Sequence, residues 1–389
     1  MIRVGFVLEA HTWLGGVSYY RNLFSALALL SPKEIQPVVF LGTDVTDEMA
    51  ANYSDAEVVR TALLNPGSPY GLARRGMRKL ARQYDVLLSE LLVRHSIHVL
   101  SHYSGKILRS SQIKTIGWIP DFQHIHLPDF FPPGEREMRQ VTVERLIERS
   151  DLVVVSSNVA QQDVAKYFSA ALPKSAVLNF VPRIDSSPEP ASFADLKARY
   201  GFDTEYFFLP NQFWVHKNHQ VVIEALRLLR KNGINATVLS TGSTTDYRQP
   251  EYSAELLSKV KQLDLCEAFR PLGVVPYHDL LSLMHHSLAV INPSFYEGWS
   301  TTVEEAKALK KVVILSDIPV HREQSPASAM FFDPDDPLAL SSYMHAVLDN
   351  AGLQPFDHCG RGFKLSDSYL HDRLKFAADF QGIVLRLFP

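Results

Sequence analysis

The chain has 389 residues, a formal net charge of -3, 46% hydrophobic residues and 21% charged residues. That length suits two domains of ordinary size, and that composition is typical of a packed globular protein, not a disordered or fibrous one. The near-balanced charge gives no reason to expect nucleic acid as a partner, and the two cysteines, Cys266 and Cys359, fit no metal-ligand spacing.

The apolar run at 2–8 meets Glu9 and then a glycine turn, so it reads as a strand and not as a signal peptide. No run of about 18 apolar residues predicts a membrane-spanning helix. The expected location is the cytoplasm. Further short apolar runs predict buried parallel strands at 38–41, 98–101, 115–119, 152–156 and 176–180, and again at 206–209, 236–240, 288–292 and 312–316. Helical spacing of apolar residues appears at 17–30, 221–230, 256–263 and 302–309. Strand–helix alternation of this kind predicts right-handed βαβ units and parallel sheets. It runs to about residue 180 and restarts near Tyr206, with a stretch rich in Pro, Ser and charge at 182–190 between. The expected organisation is a Rossmann-like αβα domain at 1–182, a second at 190–368, and a helix at 369–389 packing back across the junction. Open α/β sheets bind ligands beyond the carboxyl ends of their strands, so the two sheets are expected to line a common cleft.

Four loops after predicted strands carry candidate chemistry. Gly15 and Gly16 follow the first strand, where glycine permits positive φ and close backbone approach to a ligand. A simple tight turn explains them equally well, and they do not form a GxGxxG fingerprint. After 115–119 come Asp121, His124 and His126, polar groups placed either for catalysis or for capping turns. After 206–209, Lys217 stands where a helix is predicted to start and would meet a phosphate as a point charge. After 288–292 comes Pro293-Ser294-Phe295-Tyr296-Glu297-Gly298-Trp299-Ser300-Thr301-Thr302-Val303-Glu304-Glu305. Thr301 and Glu304 have capping-box spacing, which predicts a helix start near Thr301. Its first N–H groups would form an anion site. Glu297 and Glu305 could accept hydrogen bonds from hydroxyl pairs on a ribose or a hexose, although Glu304 and Glu305 also suit the helix dipole alone.

The segment from Glu297 to Glu305 resembles the Glu-x7-Glu motif of the family 4 retaining glycosyltransferases, which have the GT-B fold, two Rossmann-like αβα domains facing each other across a cleft. The likeness extends over Leu272-Gly273-Val274-Val275-Pro276 and over 311–323. It implies that Glu297 contacts the donor sugar, Glu305 the nucleotide ribose, and the backbone at Gly298, Trp299, Ser300, Thr301 and Thr302 the diphosphate. It implies that the Gly15-Gly16 loop contacts donor phosphate or acceptor. The family's Arg-then-Lys pair matches Lys217, with Gln212 in place of the Arg. The family's His falls at Pro120, which makes His124, with Asp121 beside it, the replacement candidate. The implied activity is retaining, metal-independent transfer from a nucleotide-diphosphate sugar to a carbohydrate or lipid-linked acceptor, with no cofactor, in polysaccharide, lipopolysaccharide or glycoconjugate assembly. A nucleotide-sugar epimerase and a non-catalytic nucleotide-sugar binding module are the competing readings; Pro120 and Gln212 favour the latter.

Two further features stand apart. Asp333-Pro334-Asp335-Asp336 could suggest a metal motif but is read as a turn capping the next helix. Arg74, Arg75, Arg78, Lys79 and Arg82 form a basic helix that would touch anionic lipid or an anionic acceptor, placing the protein at the inner face of the membrane as a peripheral partner.

Overall fold

The computed structural model describes residues 1–8, 14–80, 84–103, 108, 112–185, 189–324, 326–353, 363 and 365–388; Arg82 and Cys359 lie outside them. The chain divides into two compact units. One comprises Met1–Phe122, Gly134–Arg183 and Leu370–Pro389, the other Gln123–Pro133 and Ile184–Tyr369.

The first unit contains β1 (Ile2–Val7), β2 (Ile35–Gly42), β3 (Glu57–Thr61), β4 (Val99–Tyr103), β5 (Lys114–Ile119), β6 (Leu152–Val155) and β7 (Ser175–Val177). They form a seven-stranded parallel sheet in the order β3-β2-β1-β4-β5-β6-β7. The central strands are mostly apolar, as expected inside a parallel sheet, with Arg3 in β1, Ser101 and His102 in β4 and Lys114 and Thr115 in β5 among the exceptions. Gly15 and Gly16, expected in a loop, belong to the first turn of the Leu14–Leu27 helix. The Tyr369–Leu385 helix joins this unit: Phe380 packs 6.0 Å from Phe6, and Arg373 Nη2 donates to Ser25 Oγ at 2.8 Å.

The second unit contains β8 (Phe207–Leu209), β9 (Val238–Ser240), β10 (Phe269–Pro271), β11 (Val290–Asn292), β12 (Val313–Ser316) and β13 (Ala329–Phe332). Their order is β10-β9-β8-β11-β12-β13, again parallel. The His219–Lys231 helix buries Val222, Ala225, Leu226 and Leu229 against this sheet, the i, i+3, i+4, i+7 stripe of an amphipathic helix.

Three strands, β3, β10 and β13, have no counterpart among the predicted ones. Each is an edge strand and only partly buried. β3 carries Glu57 and Arg60 and β10 carries Arg270, so the continuous apolar run used to find the others is missing there, whereas β13 does carry such a run.

Candidate active site

In the second sheet β8 and β11 are neighbours, and the chain proceeds from them in opposite directions, to β9 and β10 on one side and to β12 and β13 on the other. That reversal opens a crevice beyond the strands' carboxyl ends. The loop after β8 brings Lys217 there, and the loop after β11 brings Glu297. Lys217 Nζ and Glu297 Oε1 lie 2.6 Å apart, with only 16% and 10% of the two side chains exposed. Ser294 Oγ is 2.6 Å from the same carboxylate oxygen and 2.8 Å from Asn292 Oδ1. It has one proton, and the charged acceptor at the shorter distance takes it. Burial alone would lift the Glu297 carboxyl, but the Lys217 charge and the hydrogen bonds from Lys217 and Ser294 outweigh it and hold the group below its ordinary value.

The loop carrying Glu297 is held from beneath by buried polar groups. Asn292 Nδ2 donates to Ser300 Oγ at 2.7 Å, which clamps the two ends of the loop together, and Asn211 Nδ2 donates to Asn292 Oδ1 at 3.2 Å. Ser316 Oγ donates to the Ser294 carbonyl at 2.6 Å. Gln324 accepts from Ser300 N at 3.3 Å and donates to Glu304 Oε1 at 2.9 Å. Asn218, in the left-handed region at φ 53, donates to the carbonyls of Pro293 and Pro334 and so fixes the residue after Lys217. Gly242 adopts φ +125, and a Cβ there would come within 2.8 Å of the Asn211–Gln212 backbone; only glycine lets these two loops pack so closely.

The helix after the loop runs Thr301–Ala308, and its N-cap is Ser300, whose hydroxyl accepts from Val303 N. The predicted capping box is therefore one residue off. Thr301 is the exposed first helical residue, and the Glu304 carboxylate goes to Gln324 and Lys307 instead of returning to the cap. The N–H groups of Thr301 and Thr302 have no partner among the described residues, which leaves the positive end of the helix open to an anion. Thr302 Oγ1 donates to the Pro210 carbonyl at 3.4 Å and ties the helix start to the loop after β8. Glu305 is 5% exposed. Burial raises its carboxyl to about 7, with a hydrogen bond from Tyr277 partly opposing the rise.

The structure thus brings Lys217, Glu297, Ser300, Thr301 and Thr302 onto adjoining loops, with Glu305 in the same helix. Gly298, Trp299 and Gln212 are half-buried in those loops. His124 is buried in the Gln123–His126 turn of the second unit, whereas Asp121, Gly15 and Gly16 belong to the first. His126 stacks on Tyr296 at 4.9 Å. Asp336 Oδ1 accepts from Leu338 N and Ala339 N at the start of the Pro337–Leu353 helix, the capping role expected of that turn.

Sequence reasoning missed Tyr277, Asn292, Ser316 and His321. His321 is fully buried, its Nδ1 donating to the Ser316 carbonyl at 2.9 Å, so Nε2 keeps a buried lone pair without a partner among the described residues. Burial lowers its imidazole, while the Glu297 charge opposes that shift. A usable signal existed: Ser240, Asn292 and Ser316 each end an apolar strand with a polar residue that is 0% exposed. A polar group in that place costs free energy unless it is bonded.

This arrangement sets a charge pair beside an open helix N-terminus at the switch point of a doubly wound sheet, where such sheets take ligands and such helix ends take anions. Residues 195–356 match the family model described as Glycosyl transferases group 1. The O-antigen chain mannosyltransferase RfbU of Salmonella typhimurium is 25% identical over 236 residues, 61% of this chain and 60% of that protein. The chain thus matches less than two thirds of that relative's length. Among solved structures, a glycosyltransferase from Rickettsia africae superposes with a TM-score of 0.66 at 16% identity, covering 100% of this chain and 99% of the other. The Anabaena protein HepE, solved in complex with UDP and glucose, gives 0.67 at 13% identity with the same coverage. The fold is GT-B, built from two parallel-sheet αβα units.

Proposed function

We propose that this protein is a glycosyltransferase that moves a sugar from a nucleotide-diphosphate donor to a glycan or lipid-linked acceptor in polysaccharide, lipopolysaccharide or glycoconjugate assembly. The observation that carries the reading is the Lys217–Glu297 pair at 2.6 Å on loops adjoining the open N–H groups of Thr301 and Thr302. In this reading those amides and Lys217 meet the charge that grows on the leaving diphosphate, the electrostatic role a metal would otherwise fill. Glu297, fixed by Lys217 and Ser294, faces the donor sugar, and Glu305 accepts from the ribose hydroxyls. Gln212 and the loop backbone at Gly298 and Trp299 complete the diphosphate contacts. Asp121 and His124 remain the candidates for acceptor-side proton transfer, with Gly15 and Gly16 in a phosphate or acceptor contact. Transfer is retaining and the sugar a hexose, as the resemblance to the family 4 enzymes implies.

Among the described residues no helix is long and apolar enough to cross a membrane. A lipid-linked acceptor would bring the protein to the inner membrane face as a peripheral partner. The test is a thermal-shift panel of nucleoside diphosphates and their sugars, in which the right donor raises Tm by mass action. The donor is then incubated with and without acceptors, and the anomeric configuration of the product is read. The reading fails if no member shifts Tm. Isomerised donor without acceptor would make the protein an epimerase, and binding without turnover a sugar-binding module.

A further inference from the structure

The basic helix of the first unit runs Pro69–Leu80, and it is packed inside out. Its buried residues are Gly71 and Arg74. Leu72, Ala73, Gly76, Met77 and Leu80 are all exposed. Those five stand at i, i+1, i+4, i+5 and i+8, a continuous apolar stripe along one face of a helix. The large side chains are well out of the protein: Leu80 is 87% exposed, Tyr70 67% and Leu72 55%. A Cβ built on Gly76 would meet nothing within 4 Å. An ordinary surface helix turns such a stripe toward the core.

Two contacts fix the inverted orientation. A Cβ at Gly71 would fall 2.0 Å from the Asn65 carbonyl oxygen, so the chain crosses there at a distance only glycine allows. Arg74 reaches inward to Asp85, with Nε 2.9 Å and Nη2 2.6 Å from Oδ2. Asp85 itself caps the Val86–Arg94 helix by accepting from Leu88 N. Arg74, expected at the surface with the other cations, is thus a buried anchor. Arg75 and Lys79 are exposed one turn apart beside the stripe, Arg78 is half-buried, and the helix has no acidic residue.

We infer that this stripe docks on an anionic lipid surface, with Leu72, Met77 and Leu80 entering the apolar boundary of the bilayer and Arg75 and Lys79 meeting anionic headgroups. Charge decides the occupant. A second copy would set Arg75 and Lys79 against their own like. A twelve-residue helix about 18 Å long also offers far less than the roughly 800 Å² per partner of a stable interface. The inference deepens the peripheral-membrane part of the proposed function and rests on it only in the choice of helix. Lipid binding is therefore measured without nucleotide sugar, so its failure and that of the transfer reading are separable.

The full chain is sedimented with phosphatidylcholine vesicles and with mixed phosphatidylcholine–phosphatidylglycerol vesicles. It should bind the mixed vesicles more tightly, and less so as salt screens the cations. The double variant L72S/L80S should bind them about tenfold more weakly or worse, and Gly76→Leu, which extends the stripe into open space, about threefold more tightly. Both variants should keep the wild-type donor-induced thermal shift. The inference is overturned if the wild type ignores both vesicles or if L72S/L80S binds as well as the wild type. It is equally overturned if light scattering shows a wild-type dimer that L72S/L80S dissolves, because the stripe would then belong to a second copy.

Discussion

The two sheets reverse their strand order in the same way, at β1–β4 and at β8–β11, yet different side chains gather at the two reversals. Among the described residues of the first unit these are rings. His102 packs with Phe6, Tyr19, Tyr20, Trp118 and Phe380, at centroid distances from 5.1 to 6.1 Å. Burial pushes the His102 imidazole down to about 3, so it stays neutral, and both ring nitrogens are bonded, to Ser101 Oγ and to Tyr19 Oη. In the second unit a buried ion pair and a network of Asn, Ser and Gln occupy the equivalent place. Topology determines where a crevice can open. The residues that end the strands determine whether it is packed with rings or lined with charges.

Lys217→Met breaks the polar side of this comparison and should have the largest effect. Transfer should fall by roughly two to three orders of magnitude, as when a preorganised group facing transition-state charge is removed. Glu297 would keep its burial and lose the charge that holds its carboxyl down, so that group should move upward, as Glu305 already does. An uncompensated buried charge costs on the order of 3 kcal/mol, and melts should show the loss. Adding Glu297→Gln should restore much of the stability and none of the transfer. Recovery of turnover in the double variant would remove Lys217 from the catalytic account.

Glu305→Gln sharpens the contrast between the two glutamates. The folded carboxyl sits at about 7 against an ordinary 4.5, so between those values the folded state holds a proton that the unfolded chain has released. The stability linked to Glu305 is therefore fully present below pH 4.5 and is lost as pH rises through 7, by roughly 3 kcal/mol. The glutamine variant should melt higher than the wild type at pH 8, and the gap should close toward pH 4.5. Donor affinity should move the opposite way. In the wild type it should rise with pH through 7 as the carboxylate forms, whereas in the variant it should be flat and about tenfold weaker, as expected when a charged acceptor is replaced by a neutral one. Titration of binding across pH checks both.

How much of this was legible in the sequence follows the same physics. Central strands such as β6 and β12 are continuous apolar runs, and Glu297, Lys217 and the helix after Ser300 stand out because they interrupt the pattern at strand ends. The edge strands β3 and β10 do not, because these half-exposed strands carry mixed residues. Tyr277 lies in a different helix from Glu305, and Arg74 points inward although its neighbours are all cationic or apolar. Each of these placements depends on a partner distant in sequence, and local periodicity holds no record of it.

Tyr19→Phe tests the ring-packed side and should give the smallest effect. The substitution removes one hydroxyl, the partner of His102 Nε2 at 2.9 Å, and leaves every ring contact in place. A single neutral hydrogen bond contributes about 1 kcal/mol, and leaving the imidazole nitrogen buried without a partner brings the expected loss to about 1–2 kcal/mol. Because His102 is already neutral at any working pH, that loss should be the same from pH 5 to pH 8, unlike the pH-dependent change at Glu305. The donor-induced thermal shift should match the wild type, since the donor groups proposed above on the second unit are untouched. A Tyr19→Phe protein that melted normally and bound donor poorly would mean that the rings at the first reversal also serve the ligand, and the division between a filled crevice and a charged one would no longer hold.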